Sequence, residues 1–287
     1  MRNVIITGGN SGLGFEVAKK VAAHEGYRVV IACRNPEKAQ HAVEEIIEAT
    51  GNRNVASIPL DTASLASVRD AAAAWEATGY GDIYALLLNA GISGMHEGTT
   101  VDGFDVVFET NHLGHFLLAN LLLPHMAKGG KIFSTTSDMH DSPMGKMEWP
   151  GTEALAHPDG KAFNPRMRYS YSKLANIYFV HELARRLGAE GSEVTANAFN
   201  PGMMQTGFAK VDHVRAAMVK RTMPHRFGDL EKSSDAYAQL VLDDELANTS
   251  ANYYDRSTTA IQSSDLSYDE ANARELWEES ERLCGLR

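Results

Sequence analysis

The chain has 287 residues, 44% of them hydrophobic and 22% charged, enough apolar material for one large buried core. A formal net charge of −10 argues against nucleic acid or an anionic membrane as the main partner. Two cysteines far apart, Cys33 and Cys284, make neither a disulfide framework nor a zinc site and fit a reducing cytoplasm.

Short β-branched runs alternate with helical periodicity along the chain. The pattern predicts a strand over 3–7 ("NVIIT"), a helix over 12–24, a strand over 28–32 and a helix over 36–50. A strand over 54–60, a helix over 64–78 and a strand over 83–88 ("IYALLL") follow, then one long helix over 103–126. The remainder predicts a strand over 130–135, a helix over 168–187 and strands over 192–199 and 251–255. Strands apolar throughout are buried on both faces, so the expected fold is α/β, a doubly wound parallel sheet of about seven strands with helices on both faces. No linker interrupts 1–287, which predicts a single domain. No leader precedes Asn3 and no apolar run spans a bilayer, so the expectation is a cytoplasmic protein without a membrane anchor. Two long stretches without strand signals, 138–166 and 203–227, are the expected substrate loops. Met139, Met203 and Phe208 in them suit a pliable apolar pocket.

Between the first strand and first helix stands "TGGNSGLG". Gly8, Gly12 and Gly14 allow a tight turn and close backbone approach, and the following helix start offers free N–H groups to a pyrophosphate. Asn10, Ser11 and Leu13 complete that turn. The second strand ends on Arg34, where NAD sites carry an acid for the ribose. A guanidinium can fork onto the extra phosphate of the alternative cofactor, so the sequence favours NADP(H) over NAD(H).

The spacing TGxxxGxG resembles that of the short-chain dehydrogenase/reductase family, which implies a Rossmann-type fold and nicotinamide chemistry. "ACRNPEKA", "LDTASLASVR", "TNHLGHFLLANLLL", "SKLANIYFVHELARRL" and "LWEESERLCGL" resemble its retinol dehydrogenase and protochlorophyllide reductase branch, over nearly the whole chain. The resemblance implies that Asp61 and Thr62 lie beside the adenine and that Asn89, Ala90 and Gly91 line the ribose. It also implies that Pro201, Gly202, Met204 and Thr206 meet the nicotinamide end. Leu88 replaces the first asparagine of the family's NNAG element.

A carbonyl reductase must protonate a forming alkoxide. A phenol can donate that proton, and a lysine one helical turn away can tune it. In "RYSYSKLAN" only Tyr169 has its lysine, Lys173, four residues on; Tyr171 faces elsewhere and is expected to pack. The family's hydroxyl at the end of the fifth strand aligns with Ser137, and its water-holding helix asparagine with Asn111. Lys173 and Tyr169 would also touch the cofactor. His112 and His115 are expected to pack or be exposed, not to bind metal. The reaction implied is carbonyl–alcohol interconversion on a bulky apolar small molecule, by a monomer or homo-oligomer. Light-driven reduction of a tetrapyrrole double bond and nucleotide sensing without turnover are the alternatives.

Overall fold

A computed structural model describes residues 1–94, 96–143, 145–158, 167–204 and 226–287. Its strands are β1 (Arg2–Thr7), β2 (Tyr27–Cys33), β3 (Val55–Pro59), β4 (Ile83–Leu88), β5 (Met126–Thr135), β6 (Thr195–Asn200), β7 (Tyr253–Asp255) and β8 (Ala260–Ile261). They form one sheet in the order β3-β2-β1-β4-β5-β6-β7-β8. Every neighbouring pair is parallel except β7 with β8. The strand order reverses direction between β1 and β4, the switch point at which open α/β sheets hold ligands. The sequence predicts about seven strands; the eighth is a two-residue antiparallel edge, exposed and too short to carry an apolar pattern.

The helices divide by face. α1 (Gly12–Ala22), α2 (Pro36–Thr50) and α8 (Leu230–Leu242) cover one side. α3 (Leu65–Thr78), α5 (Gly114–Leu122), the short α6 (Thr152–Ala156), α7 (Arg168–Ala189) and the C-terminal α9 (Glu270–Leu283) cover the other. Successive residues of β1 feed both cores, with Val4 and Ile6 in one and Ile5 in the other. Side-chain caps set the helix starts: Asn35 accepts from Lys38 N, Ser64 from Ser67 N and Asp229 from Lys232 N. Each stabilises its helix by about 1 kcal/mol.

The long helix expected over 103–126 is not uniform. It opens as α4 (Val106–Phe108), widens to a π-helical turn at Glu109–Leu113 and resumes as α5. Pro124, in the 3₁₀ turn Leu123–His125, ends it, and β5 has already begun at Met126. Widened turns of this kind are frequent at functional sites, and Asn111 is in the middle of this one.

Helix α9 is more than a cover. Glu275 accepts hydrogen bonds from Trp149 Nε1 and from both the amide and the hydroxyl of Thr152, at 2.8–2.9 Å. Trp277 packs edge-on against Phe116 and stacks with Phe179 of α7. The chain's last helix therefore holds the segment that leads into α7 and the back of α7 itself. Among the described residues no helix is long and apolar enough to cross a membrane.

Candidate active site

The predicted site residues in the described chain collect at the carboxyl edge of β1, β4, β5 and β6. The turn after β1 is shaped by what glycine lacks. Gly8 has φ +67°, and a Cβ on Gly14 would lie 2.7 Å from Gly8 O and 2.5 Å from Asn89 Nδ2. No side chain caps α1, whose start at Ser11 leaves its first N–H groups turned outward. A cavity of about 260 Å³ opens beside it, lined by Asn10, Ser11, Phe15 and Lys38 among others. Leu13 turns inward to the core. This cradle of bare backbone fits a pyrophosphate.

Thr7, the last residue of β1, joins this turn to β4. Its hydroxyl accepts from Asn89 N and Ala90 N, both at 2.8 Å, which fills its lone pairs. Its proton then goes to His115 Nε2 at 2.9 Å, and His115 Nδ1 lies 3.2 Å from Asn111 O. Burial lowers His115 to about 4 and His112 to about 3, so both rings are neutral. Both are packed inside the fold, His112 against Ser280 of α9.

Arg34 is 77% exposed and lies 3.9 Å from Asp61, an ion pair too loose and wet to hold it. Asp61 Oδ1 accepts from Ala63 N. Thr62 is buried and its carbonyl lies against Gly114, where a Cβ would clash.

Beyond β4 and β5 the side chains take over. Asn111 is wholly buried; its Oδ1 accepts from Ile92 N at 2.8 Å, and its Nδ2 donates to Ile92 O and Ser172 Oγ at 3.0 Å. It thus staples the loop after Gly91 to α7, with one Oδ1 lone pair left over. Lys173 donates to Thr135 O at 3.0 Å, an acceptor shared with Asn176. The Lys173 Nζ is 5.6 Å from the Tyr169 ring centre. Burial pushes Lys173 down to about 8. It pushes Tyr169 above its ordinary value, opposed by its hydrogen bond with Ser137. The sequence predicts that Lys173 tunes the phenol; in the structure the ammonium faces a backbone carbonyl, burial dominates at Tyr169, and the phenol keeps its proton at neutral pH. Ser137 also caps its own 3₁₀ turn (Asp138–His140), accepting from Met139 N at 3.2 Å. Tyr171 packs in the core below α7.

At the far end, Gly202 has φ +77° and its amide donates to Asn200 Oδ1. Pro201 O accepts from Ser233 Oγ and presses on Gly228, where a Cβ would have no room. Met203 pairs with the 226–228 segment through Arg226 O and Gly228 N, and Met204 packs against the core on the α1 side. Met139 Sδ and Asp138 both face Arg226, at 3.7 and 3.6 Å. Thr206 and Phe208 lie outside the described residues.

The sequence model of the family described as short chain dehydrogenase matches residues 2–151. Retinol dehydrogenase 13 of Homo sapiens is 36% identical, with 99% of this chain and 85% of the relative covered. The chain belongs to the short-chain dehydrogenase family. Within it, this dehydrogenase falls in the retinol dehydrogenase-like branch and is an NAD(P)-dependent oxidoreductase. Polyprenol dehydrogenase of Homo sapiens is 30% identical over 99% of this chain and 86% of its own. A short chain dehydrogenase from Burkholderia cenocepacia J2315, solved in complex with NADP, superposes with a TM-score of 0.67. It is 27% identical, over 90% of this chain and 97% of the other.

Sequence reasoning missed Thr7, His115, Lys38, His140 and Gly228 as parts of this dehydrogenase's site. Lys38 had a legible signal, a lysine four residues after Arg34 at a helix start. The others act through partners far away in the chain.

Proposed function

We propose that this short-chain dehydrogenase interconverts a carbonyl and an alcohol on a bulky apolar substrate, using NADP(H), with Tyr169 as the proton donor in reduction. One observation carries the reading: the Ser137 hydroxyl meets the Tyr169 phenol beside buried Lys173, on the edge that also bears the glycine turn. A bound reduced nicotinamide supplies the hydride. The two hydroxyls then converge on the substrate oxygen, and each such donor stabilises a developing oxyanion by roughly 3 kcal/mol. The phenol, held protonated by burial, gives up its proton as negative charge builds beside it. Lys173, at about 8, is poised to take or release a proton near physiological pH and stands one helical turn from the phenol. Asn111 orients the segment around it through Ile92 and Ser172.

NADP(H) is favoured by Arg34, exposed at the end of β2 and able to fork onto a phosphate. Lys38 in the adjoining cavity adds a second cation. The apolar substrate is supported by Met139 and Met203 at this edge and by relatives named for retinol and polyprenol, both long apolar alcohols.

The test is a panel of apolar aldehydes and ketones with NADPH or NADH, followed by the absorbance of the reduced nicotinamide. Tyr169→Phe should lower kcat at least about 1,000-fold while NADPH still binds; full activity overturns the mechanism. Arg34→Asp should raise KM for NADPH roughly 10-fold or more and leave NADH unaffected; equal changes overturn the cofactor assignment.

A further inference from the structure

We propose that His140 is a positioning residue for Ser137, a neutral imidazole that fixes where the serine hydroxyl stands relative to Tyr169. The inference rests on the reading that Ser137 orients the substrate oxygen.

His140 closes the 3₁₀ turn that begins at Ser137, and it is 5% exposed. Its Nδ1 lies 2.7 Å from Ser137 O, and its own backbone amide donates to the same oxygen at 3.0 Å. Its Nε2 receives the Ser264 amide at 3.0 Å. A backbone N–H can only donate, so Nε2 carries no proton. In a neutral ring the proton is then on Nδ1, where it donates to Ser137 O. The ring packs on Tyr253 of β7, centres 5.2 Å apart. Burial disfavours the charged ring.

The far partner gives the contact its meaning. Ser264 leads into the 3₁₀ turn Asp265–Tyr268, which is tied to α7 by two bonds. Tyr178 donates to Leu266 O at 2.8 Å, and His181 Nδ1 lies 3.0 Å from Ser267 O. A closed circuit runs from Ser137 through His140 and Ser264 to Tyr178, then along α7 to Tyr169. Shorter ties join the same two elements where Lys173 and Asn176 donate to Thr135 O and Thr136 Oγ1 donates to Lys173 O. Those ties end at Thr136; the His140 contact alone carries the hold one residue further, to the turn that bears the Ser137 hydroxyl. Geometry at this level matters, since a misplacement of about 1 Å in a reacting group costs on the order of 100-fold in rate.

The experiment is a double-mutant cycle between His140→Phe and Ser137→Ala, with NADPH affinity measured in parallel. Phenylalanine keeps a ring against Tyr253 and removes both hydrogen bonds. His140→Phe should lower kcat roughly 10- to 100-fold with NADPH Kd unchanged. His140→Asn, which can still donate to Ser137 O, should recover most of that loss. In the Ser137→Ala background, His140→Phe should cost less than about 3-fold more, because its effect passes through the serine. A full multiplicative loss there, or a fall in NADPH affinity matching the fall in kcat, overturns the inference. Ser137→Ala with undiminished turnover defeats the functional reading itself. A slow Ser137→Ala beside a fully active His140→Phe defeats only this inference. Should His140→Phe fail to fold, long-range proton–nitrogen correlation spectra of the wild-type protein decide: an Nδ1 proton supports the circuit, and an Nε2 proton overturns it.

Discussion

The edge after β1 and the edge after β5 face the same ligand space but are built in opposite ways. After β1 the site is made of absences: glycines, an uncapped helix start and backbone N–H groups supplied by consecutive residues. After β5 it is made of side chains held by distant partners: Asn111 by Ile92 and Ser172, Lys173 by Thr135, His140 by Ser264. Binding a phosphate needs only a shape that eight residues can make. Moving a proton needs groups fixed relative to one another, and that fixing comes from the whole fold.

The largest expected effect on cofactor binding strikes the first edge. Gly14→Ala would bring a methyl group to 2.7 Å from the Gly8 carbonyl, where backbone must give way. NADPH Kd, measured by quenching of protein fluorescence, should rise more than about 100-fold, as expected when backbone can no longer approach the pyrophosphate. Asn111→Leu attacks the second edge instead. It leaves the Ile92 amide and carbonyl without their side-chain partner, and unfolding in urea should show a loss of about 2 kcal/mol. NADPH affinity should change little, and a large change would mean that the two edges are not independent.

The last effect emerges only on changing pH and concerns Glu109, fully buried in the same π-helical turn. Burial holds its carboxyl at about 8 against an ordinary value of 4.5. Between those values the folded protein keeps a proton that the unfolded chain has released, so stability falls as pH rises through the window. Glu109→Gln removes this dependence. Relative to wild type, it should gain roughly 3 kcal/mol in urea unfolding between pH 5 and pH 8. No pH-dependent gain would show that Glu109 is already ionised near neutrality.

The same contrast governs what could be read from the residues alone. The alternation of strands and helices was legible because the central strands, β4 above all, are apolar on both faces, and "TGGNSGLG" was legible because its parts are contiguous. Tyr169 could be told from Tyr171 because helical spacing is a local property. The π-helical turn was not legible, since nothing in "ETNHLG" departs from ordinary helical composition. Thr7 looked like the end of a strand, though its hydroxyl sets the Asn89–Ala90 backbone. His140 looked like any loop histidine, because its partner Ser264 is 124 residues away. The edge strand β8 has only two exposed residues and offers no pattern.

The grip of α9 on Trp149, Thr152 and α7 has a consequence for the order of synthesis. Tyr169 and Lys173 leave the ribosome well before Ser264, Glu275 and Trp277 do. Until those residues emerge, the back of α7 is bare and Ser137 lacks its tie through His140. The stretch that carries Tyr169 and Lys173 therefore gains its full packing only as the C-terminal helix docks.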